Sequence, residues 1–156
     1  MLTAAEARRL VEQAQSELIE LAQVLIKTPT PNPPGQEEQA ALILKAKYDA
    51  EGLTTELIPE SSGRANIVMK LPGAGAAPAL LYDGHLDTVG PGDESAWTDP
   101  PYSGIVKNGR LLGRGASDMK AGVAAEAMAA ILAHRAGIEL AGDLIVASTC
   151  GEETDN

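Results

Sequence analysis

The chain has 156 residues, of which 44% are hydrophobic, so it is long and apolar enough for one globular domain and too apolar for a disordered segment. It carries 12 Lys and Arg against 22 Asp and Glu, and the formal charge of -10 opposes binding to phosphate backbones or anionic membranes. One Trp, three Tyr and no Phe leave little aromatic surface for stacking bases. Neither nucleic acid nor a membrane is an expected partner.

Two amphipathic helices are predicted in the first third of the chain. Thr3 followed by Glu6 forms a capping box, and apolar residues then recur at helical spacing, which predicts a first helix over about 4–27. The proline-rich segment 29–34 cannot continue it. A second helix is expected over about 36–51, where a glycine follows as the C-terminal stop.

The next part of the chain is rich in strand patterns. Short strands are expected over about 53–59 and 65–71, followed by the apolar run "ALLYDGH" (79–85), which suits the centre of a sheet. Asn108 and Gly109 lie between two alternating runs and predict a hairpin. The chain therefore supplies at least three strands and a hairpin before its last helix.

A last helix and a last strand complete the pattern. The helix is expected from Asp118 to Gly137, and "DLIVAST" (143–149) is a near-continuous apolar run typical of a strand buried on both faces. Strands that alternate with helices indicate an α/β fold. We predict a three-layer sandwich with a mixed, mostly parallel sheet and helices on both faces, and no linker divides residues 1–156 into two domains.

The single cysteine and the N-terminal segment bear on location. Cys150 alone excludes an internal disulfide and a cysteine-based zinc finger, and a buried strand position is expected for it. Charged residues interrupt the first 15 residues, and no run of about 18 uncharged apolar residues occurs, so neither a signal peptide nor a membrane-spanning helix is predicted. A cytoplasmic location is the expectation.

The stretch "LLYDGHLDTV" places His85 and Asp87 two residues apart at the end of a strand. Side chains at that spacing lie on the same face of an extended backbone, and catalytic groups often lie at strand ends in open α/β sheets. A structural alternative is that His85 is a core histidine with satisfied hydrogen bonds and that Asp87 caps a turn. The pair alone does not distinguish the two.

The stretch "GRGASDMKAG" resembles a dinucleotide-binding fingerprint, because two glycines lie between a strand and a helix. Asp118 occupies the place of the third glycine, and its charge would repel a pyrophosphate at the helix N-terminus. That carboxylate suits a cation instead. The structural alternative is that Asp118 is the N-cap of the helix.

The stretch "STCGEETDN" places two adjacent glutamates, Glu152 and Glu153, directly after a buried strand. A solvated loop explains them without any function. In an irregular turn, however, one neighbour can bind a metal ion while the other faces the attacking water. One imidazole and several carboxylates at the ends of separate elements form the ligand set expected for zinc, with cobalt or manganese tolerated.

In this order, "GHLDTV", "GRGASDMKAG" and "GEE" closely resemble a family of di-zinc amidohydrolases and exopeptidases. This family includes acetylornithine deacetylase, succinyl-diaminopimelate desuccinylase, aminoacylase and carboxypeptidase G. The resemblance implies that His85 ligates one zinc ion, Asp118 bridges two, and Glu153 ligates the other. It also implies that Asp87 orients His85 and that Glu152 is the general base. The implied reaction is amide hydrolysis in a small N-acyl amino acid or short peptide.

The resemblance also implies what a longer chain would contain. Members of the family continue past the two glutamates with a further acidic ligand, an inserted α+β domain used for dimerisation, and a late histidine ligand. His134 precedes the glutamates in a predicted helix, so a surface or helix-end role is expected for it. The 156 residues thus resemble the N-terminal part of a zinc-peptidase-like catalytic domain, inactive alone and a homodimer at full length. The alternative is a truncated, non-catalytic metal-binding or assembly module of the same fold.

Overall fold

The computed structural model describes residues 2–154. Its helices are α1 (Ala4–Gln13), α2 (Gln15–Ile26), α3 (Glu37–Ala50) and α4 (Ala121–Arg135). Its strands are β1 (Thr54–Ser61), β2 (Arg64–Leu71), β3 (Leu80–His85), β4 (Ile105–Lys107), β5 (Arg110–Leu112) and β6 (Leu144–Thr149). Within the described residues, no helix is both long and apolar enough to cross a membrane.

Two helices replace the single N-terminal helix predicted over 4–27. The predicted capping box is confirmed, because the Glu6 backbone N–H donates to Thr3 Oγ1 and the Glu6 carboxylate accepts from the Thr3 backbone N–H. The helix is interrupted at Ala14, which has a φ of -95° and a ψ of 5°. Because α1 has no buried residues while α2 has four, the break lets α2 alone lie along the core.

The main sheet has four strands in the order β1-β2-β6-β3. The α/β class and the mixed sheet are confirmed, but the prediction of mostly parallel strands is wrong for the described residues. β1 pairs with β2 and β2 with β6 in antiparallel orientation, and only β3 and β6 are parallel. The expected central strand, β3, lies at the edge, where Leu80 and Leu81 are 53% and 55% exposed.

One face of this sheet carries the core. Ile67 and Met69 on β2 and Leu144 and Val146 on β6 are buried and pack with side chains from α2, α3 and α4 in a single cluster. Burial alternates along β6, so this strand is covered on one face only, and the prediction of a strand buried on both faces is wrong. The described residues therefore form a helical layer and a sheet layer, and residues 2–154 do not include the second helical layer of the predicted sandwich.

The hairpin predicted at Asn108 and Gly109 is confirmed. β4 and β5 pair in antiparallel orientation, and the two turn residues have φ values of 53° and 72°. Positive φ at both central residues is characteristic of the type I′ turn, whose twist matches that of the flanking strands. The hairpin stands apart from the main sheet and forms a sheet of its own.

Arg135, at the end of α4, joins two other helices through carboxylates. Its guanidinium donates to Glu17 on α2 at 2.7 Å and to Glu51, next to the end of α3, at 2.6 and 2.9 Å. Hydrogen bonds from Arg135 and Lys47 lower the pKa of Glu17 to about 2. Because this pKa lies below the ordinary value of 4.5, Glu17 stabilises the fold above pH 4.5, and the stabilisation is lost as the pH falls towards 2.

We expect Arg135→Gln to lower the free energy of unfolding at neutral pH by more than it does in acid. Between pH 4.5 and pH 2 the unfolded chain protonates Glu17 before the folded protein does, so the ion pair stabilises the wild type less at pH 3 than at neutral pH. Denaturant unfolding of both proteins at neutral pH and at about pH 3 measures this difference. Arg8→Gln, at an exposed position of α1, serves as the control. A stability difference that does not change with pH would contradict the prediction.

Candidate metal centre

His85 is the last residue of β3, and its side chain is buried, with only 6% of the residue exposed. Nδ1 lies 3.1 Å from the backbone carbonyl oxygen of Asp87, so a proton on Nδ1 would donate to that oxygen. This arrangement leaves Nε2 with a lone pair, as a metal-bound imidazole requires. Nε2 faces Asp118 Oδ1 at 3.0 Å.

Asp118 does not begin a helix, so its alternative role as an N-cap is wrong. Asp118 and Met119 have non-helical backbones, with φ values of -132° and -135°, and α4 begins only at Ala121. Gly115 turns the chain with a φ of 79° and accepts a hydrogen bond at 2.8 Å from the Lys120 backbone N–H. The turn presents the Asp118 carboxylate, 77% exposed, beside His85.

The two glutamates follow β6, and the parallel pairing of β6 with β3 brings them to His85. Glu153 Oε1 accepts a hydrogen bond from the Val89 backbone N–H at 3.2 Å. One potential ligand atom from each of His85, Asp118 and Glu153 lies within 4.8 Å of the other two. Glu152 Oε2 lies 4.0 Å from His85 Nε2. The structure thus brings together all three predicted ligands and the predicted base.

Asp87 has a fully buried carboxylate that organises the glutamate turn. It accepts hydrogen bonds from Asn32 Nδ2 at 2.9 Å and from the backbone N–H groups of Glu152 at 3.2 Å and Glu153 at 3.0 Å. Burial alone raises the pKa of this carboxyl, but these bonds outweigh it and hold the pKa below its ordinary value. The backbone oxygen of Asp87 contacts the His85 ring, so Asp87 supports both His85 and the turn that carries Glu152 and Glu153.

Asn32 was not predicted as part of the site. It lies in the proline-rich segment, where its backbone N–H donates to the Thr88 carbonyl at 2.9 Å and Pro31 forms a parallel bridge with Thr88. Nearby, Thr30 Oγ1 donates to the Leu86 carbonyl at 2.6 Å. These bonds fix the proline-rich segment against the loop after β3. An amide residue among four prolines is the sequence feature that could have indicated this role.

Lys120 is a second residue that the sequence did not identify. Its side chain is fully buried, and Nζ donates to the carbonyl oxygens of Leu25 at 3.0 Å and Thr28 at 2.6 Å. Burial lowers its pKa to about 8. The lysine binds the carbonyl groups at the C-terminal end of α2, a favourable place for a cation, and so anchors the segment that carries Asp118.

Two further predictions have different outcomes. His134 is exposed in the last turn of α4, which confirms its expected helix-end position. Cys150 lies just after β6 and is half-buried, so the prediction of a buried strand position is wrong. Its backbone N–H donates to Asn66 Oδ1 at 2.8 Å, a side-chain contact that replaces strand pairing at this point.

The charge state of His85 bears on metal binding. Burial lowers the pKa of the His85 ring. The hydrogen bonds to Asp118 and to Asp87 raise it by more than burial lowers it, so the pKa lies above its ordinary value. A proton and a metal ion compete for the same nitrogen. Metal affinity at this centre should therefore fall as the pH falls.

Known proteins match both the sequence and the fold. Residues 81–156 match the model of peptidase family M20/M25/M40. An N-formyl-4-amino-5-aminomethyl-2-methylpyrimidine deformylase from Bacillus subtilis is 40% identical over 146 residues, which cover 92% of this chain. The chain thus carries part of a domain of the M20/M25/M40 peptidase family. This confirms the family predicted from the three motifs.

Two further known proteins are similar to this chain over most of its length. A probable succinyl-diaminopimelate desuccinylase from Staphylococcus epidermidis is 32% identical over 142 residues, or 91% of this chain. The chain spans 34% of the length of each of these two relatives. Human carnosine dipeptidase 1 shares the fold, with a TM-score of 0.77 at 18% identity, over 95% of this chain and 34% of its own.

Proposed function

We propose that the full-length protein hydrolyses an amide bond at a di-zinc centre built on His85, Asp118 and Glu153. The observation that carries this proposal is the convergence of one imidazole and two carboxylates within 4.8 Å from three separate parts of the chain. Such a donor set fits zinc, and cobalt or manganese could substitute for it. Membership of a peptidase family supports the same reaction class.

The three side chains have distinct proposed roles. His85 would ligate one zinc ion through Nε2, Glu153 would ligate the other, and Asp118, exposed between them, would bridge the two. Bound zinc would supply Lewis-acid activation of the scissile carbonyl and stabilise the charge that develops on its oxygen. Asp87 is a positioning residue in this scheme, because it contacts His85 and the glutamate turn.

Glu152 would act as the general base. Its carboxylate is half exposed and reaches to 4.0 Å from His85 Nε2, so it borders the position where a substrate carbonyl would lie. It would take a proton from the attacking water and return it to the departing amine. These are the two proton transfers that amide hydrolysis needs.

The proposed substrates are small N-acyl amino acids or short peptides. The two relatives support this choice, because one is named as a deformylase and the other as a probable desuccinylase. We further propose that the full-length protein is a cytoplasmic homodimer. For the substrate, the exposed carboxylates of Asp118 and Glu152 suit a small molecule that approaches the centre from solvent.

Metal content of the purified chain tests the centre directly. After dialysis and zinc titration, elemental analysis should find zinc retained near stoichiometrically by the wild type and lost by Asp118→Ala. Glu139→Ala, which removes an exposed carboxylate elsewhere, should retain zinc like the wild type. Equal retention by Asp118→Ala would contradict the ligand assignment, and no zinc in any of the proteins would contradict a preformed centre in these residues.

A further inference from the structure

A cavity of about 690 Å³ adjoins the segment that leads to Asp118. Its walls come from the loop after β3, from the hairpin and from Ala116 and Ser117, the two residues before Asp118. Cavities of about 300–1,000 Å³ are typical of small-molecule sites. None of the proposed roles above uses this space.

Arg114 and Trp97 line the cavity as a stacked pair. The Arg114 guanidinium carbon lies 5.5 Å from the centre of the Trp97 ring. Trp97 Nε1 donates to the Pro91 carbonyl at 2.9 Å, and the Arg114 backbone N–H donates to the Pro101 carbonyl at 2.6 Å. The ring and the backbone that carries the cation are therefore both held in place, so little order would be lost on binding a ligand.

The cation has no anionic partner within residues 2–154. Arg114 Nε is buried and forms no hydrogen bond there, and the same holds for the neighbouring hydroxyl groups of Tyr102 and Ser103. Buried polar atoms almost always have hydrogen-bond partners, and one left without a partner is costly. Three such groups in one region indicate an acceptor that comes from outside the described residues.

The acidic side chains of the cavity already have partners. Asp93 accepts hydrogen bonds from the backbone and the hydroxyl of Ser95, at 2.9 and 2.7 Å. Asp99 pairs with Lys107 at 3.2 Å. Neither carboxylate bonds to Arg114, so they leave its charge available to a ligand.

We propose that this cavity binds the carboxylate group of a small molecule, with Arg114 as the charged partner and Trp97 as the platform. The planar guanidinium fork matches a carboxylate in a way that lysine does not. The apolar ring surface beside it suits the carbon atoms that bear the carboxylate. We assign this carboxylate to the non-reacting end of the substrate, and that assignment rests on the proposed hydrolase function. The binding of a carboxylate in the cavity does not depend on that function.

Trp97 makes the test direct, because it is the only tryptophan in the chain. N-acetylglycine and its neutral analogue N-acetylglycinamide are titrated into the chelator-treated protein while the tryptophan fluorescence is recorded. We expect a saturable change with N-acetylglycine and none with N-acetylglycinamide. The absence of metal prevents the carboxylate from acting through the metal centre.

Variants of Arg114 assign the effect. Arg114→Gln should weaken N-acetylglycine binding roughly 10- to 100-fold, the range expected for a charge-assisted hydrogen bond. Arg114→Lys should retain part of the affinity, because it keeps the charge and loses the fork. Arg110→Gln, at an exposed position of β5, should bind like the wild type. Circular dichroism confirms that each variant is folded before it is titrated.

Three results would overturn the proposal. These are equal binding of the neutral analogue, unchanged binding by folded Arg114→Gln, and no response by the wild type. The proposal would also be overturned if the Trp97 fluorescence of the full-length protein did not respond to N-acetylglycine. In that case a carboxylate from another segment of the protein would already occupy the cavity. Failure of zinc retention leaves this metal-free titration unaffected, so the two proposals fail separately. In the full-length enzyme, an unchanged KM for an N-acyl amino acid in Arg114→Gln would refute the substrate assignment alone.

Discussion

Replacing Glu152 by glutamine should lower kcat of the full-length enzyme by a factor of roughly 10² to 10⁴. The amide has nearly the shape of the carboxylate but cannot accept the proton of the attacking water. Glu152 is not among the three convergent ligand atoms, so the zinc content should not change. Steady-state kinetics on an N-acyl amino acid, together with elemental analysis of the same sample, measure both quantities.

The matched control is Glu139→Gln, which makes the same chemical change at an exposed position away from the centre. It should keep the wild-type kcat. Loss of zinc together with activity would instead identify Glu152 as a ligand, and wild-type turnover would exclude it as the base. A full-length wild type that binds zinc and hydrolyses no acyl amino acid would favour the non-catalytic module.

Replacing Asp87 by alanine should damage both the fold and the centre. Three donors, one from Asn32 and two from the glutamate turn, lose their acceptor. Because each buried donor left without a partner costs about 1–3 kcal/mol, we expect the free energy of unfolding to fall by about 3 kcal/mol or more. Zinc affinity should fall roughly 10- to 100-fold, as is typical when a group that orients a ligand is removed.

Denaturant unfolding and zinc titration of the same preparation separate the two effects. Asp87→Asn should be intermediate, since its one amide oxygen can still accept part of the network while its NH₂ group faces the remaining donors. Asp93→Ala is the control for stability, because within residues 2–154 its carboxylate bonds only to Ser95, in an exposed loop. Wild-type stability and zinc affinity in Asp87→Ala would show that the buried carboxylate does not support the centre.

The elements and the site residues could be predicted from local patterns. Apolar runs and alternating patterns located the strands, the Asn108-Gly109 pair located the hairpin, and the three motifs located the proposed ligands. The approach of His85 to Glu153 follows from the parallel pairing of β3 and β6, because the carboxyl ends of parallel strands meet at one edge of a sheet.

The remaining features depend on contacts between distant segments. The break at Ala14 arises because only α2 packs on the core, and nothing in the local helical pattern indicates it. The burial of Lys120 depends on carbonyl groups at the end of α2, and the role of Asn32 depends on the loop after β3. Local propensity is a weak guide where tertiary packing decides.

The register between β3 and β6 also determines when the centre can form during folding. His85 pairs with Thr149, and the bond from Glu152 to Asp87 joins residues 65 positions apart in the chain. Because side chains alternate across a strand, a slip of one residue would turn His85 to the opposite face. Contacts between segments so far apart form slowly, so a metal ion captured at these ligands would mark a chain that has completed this pairing.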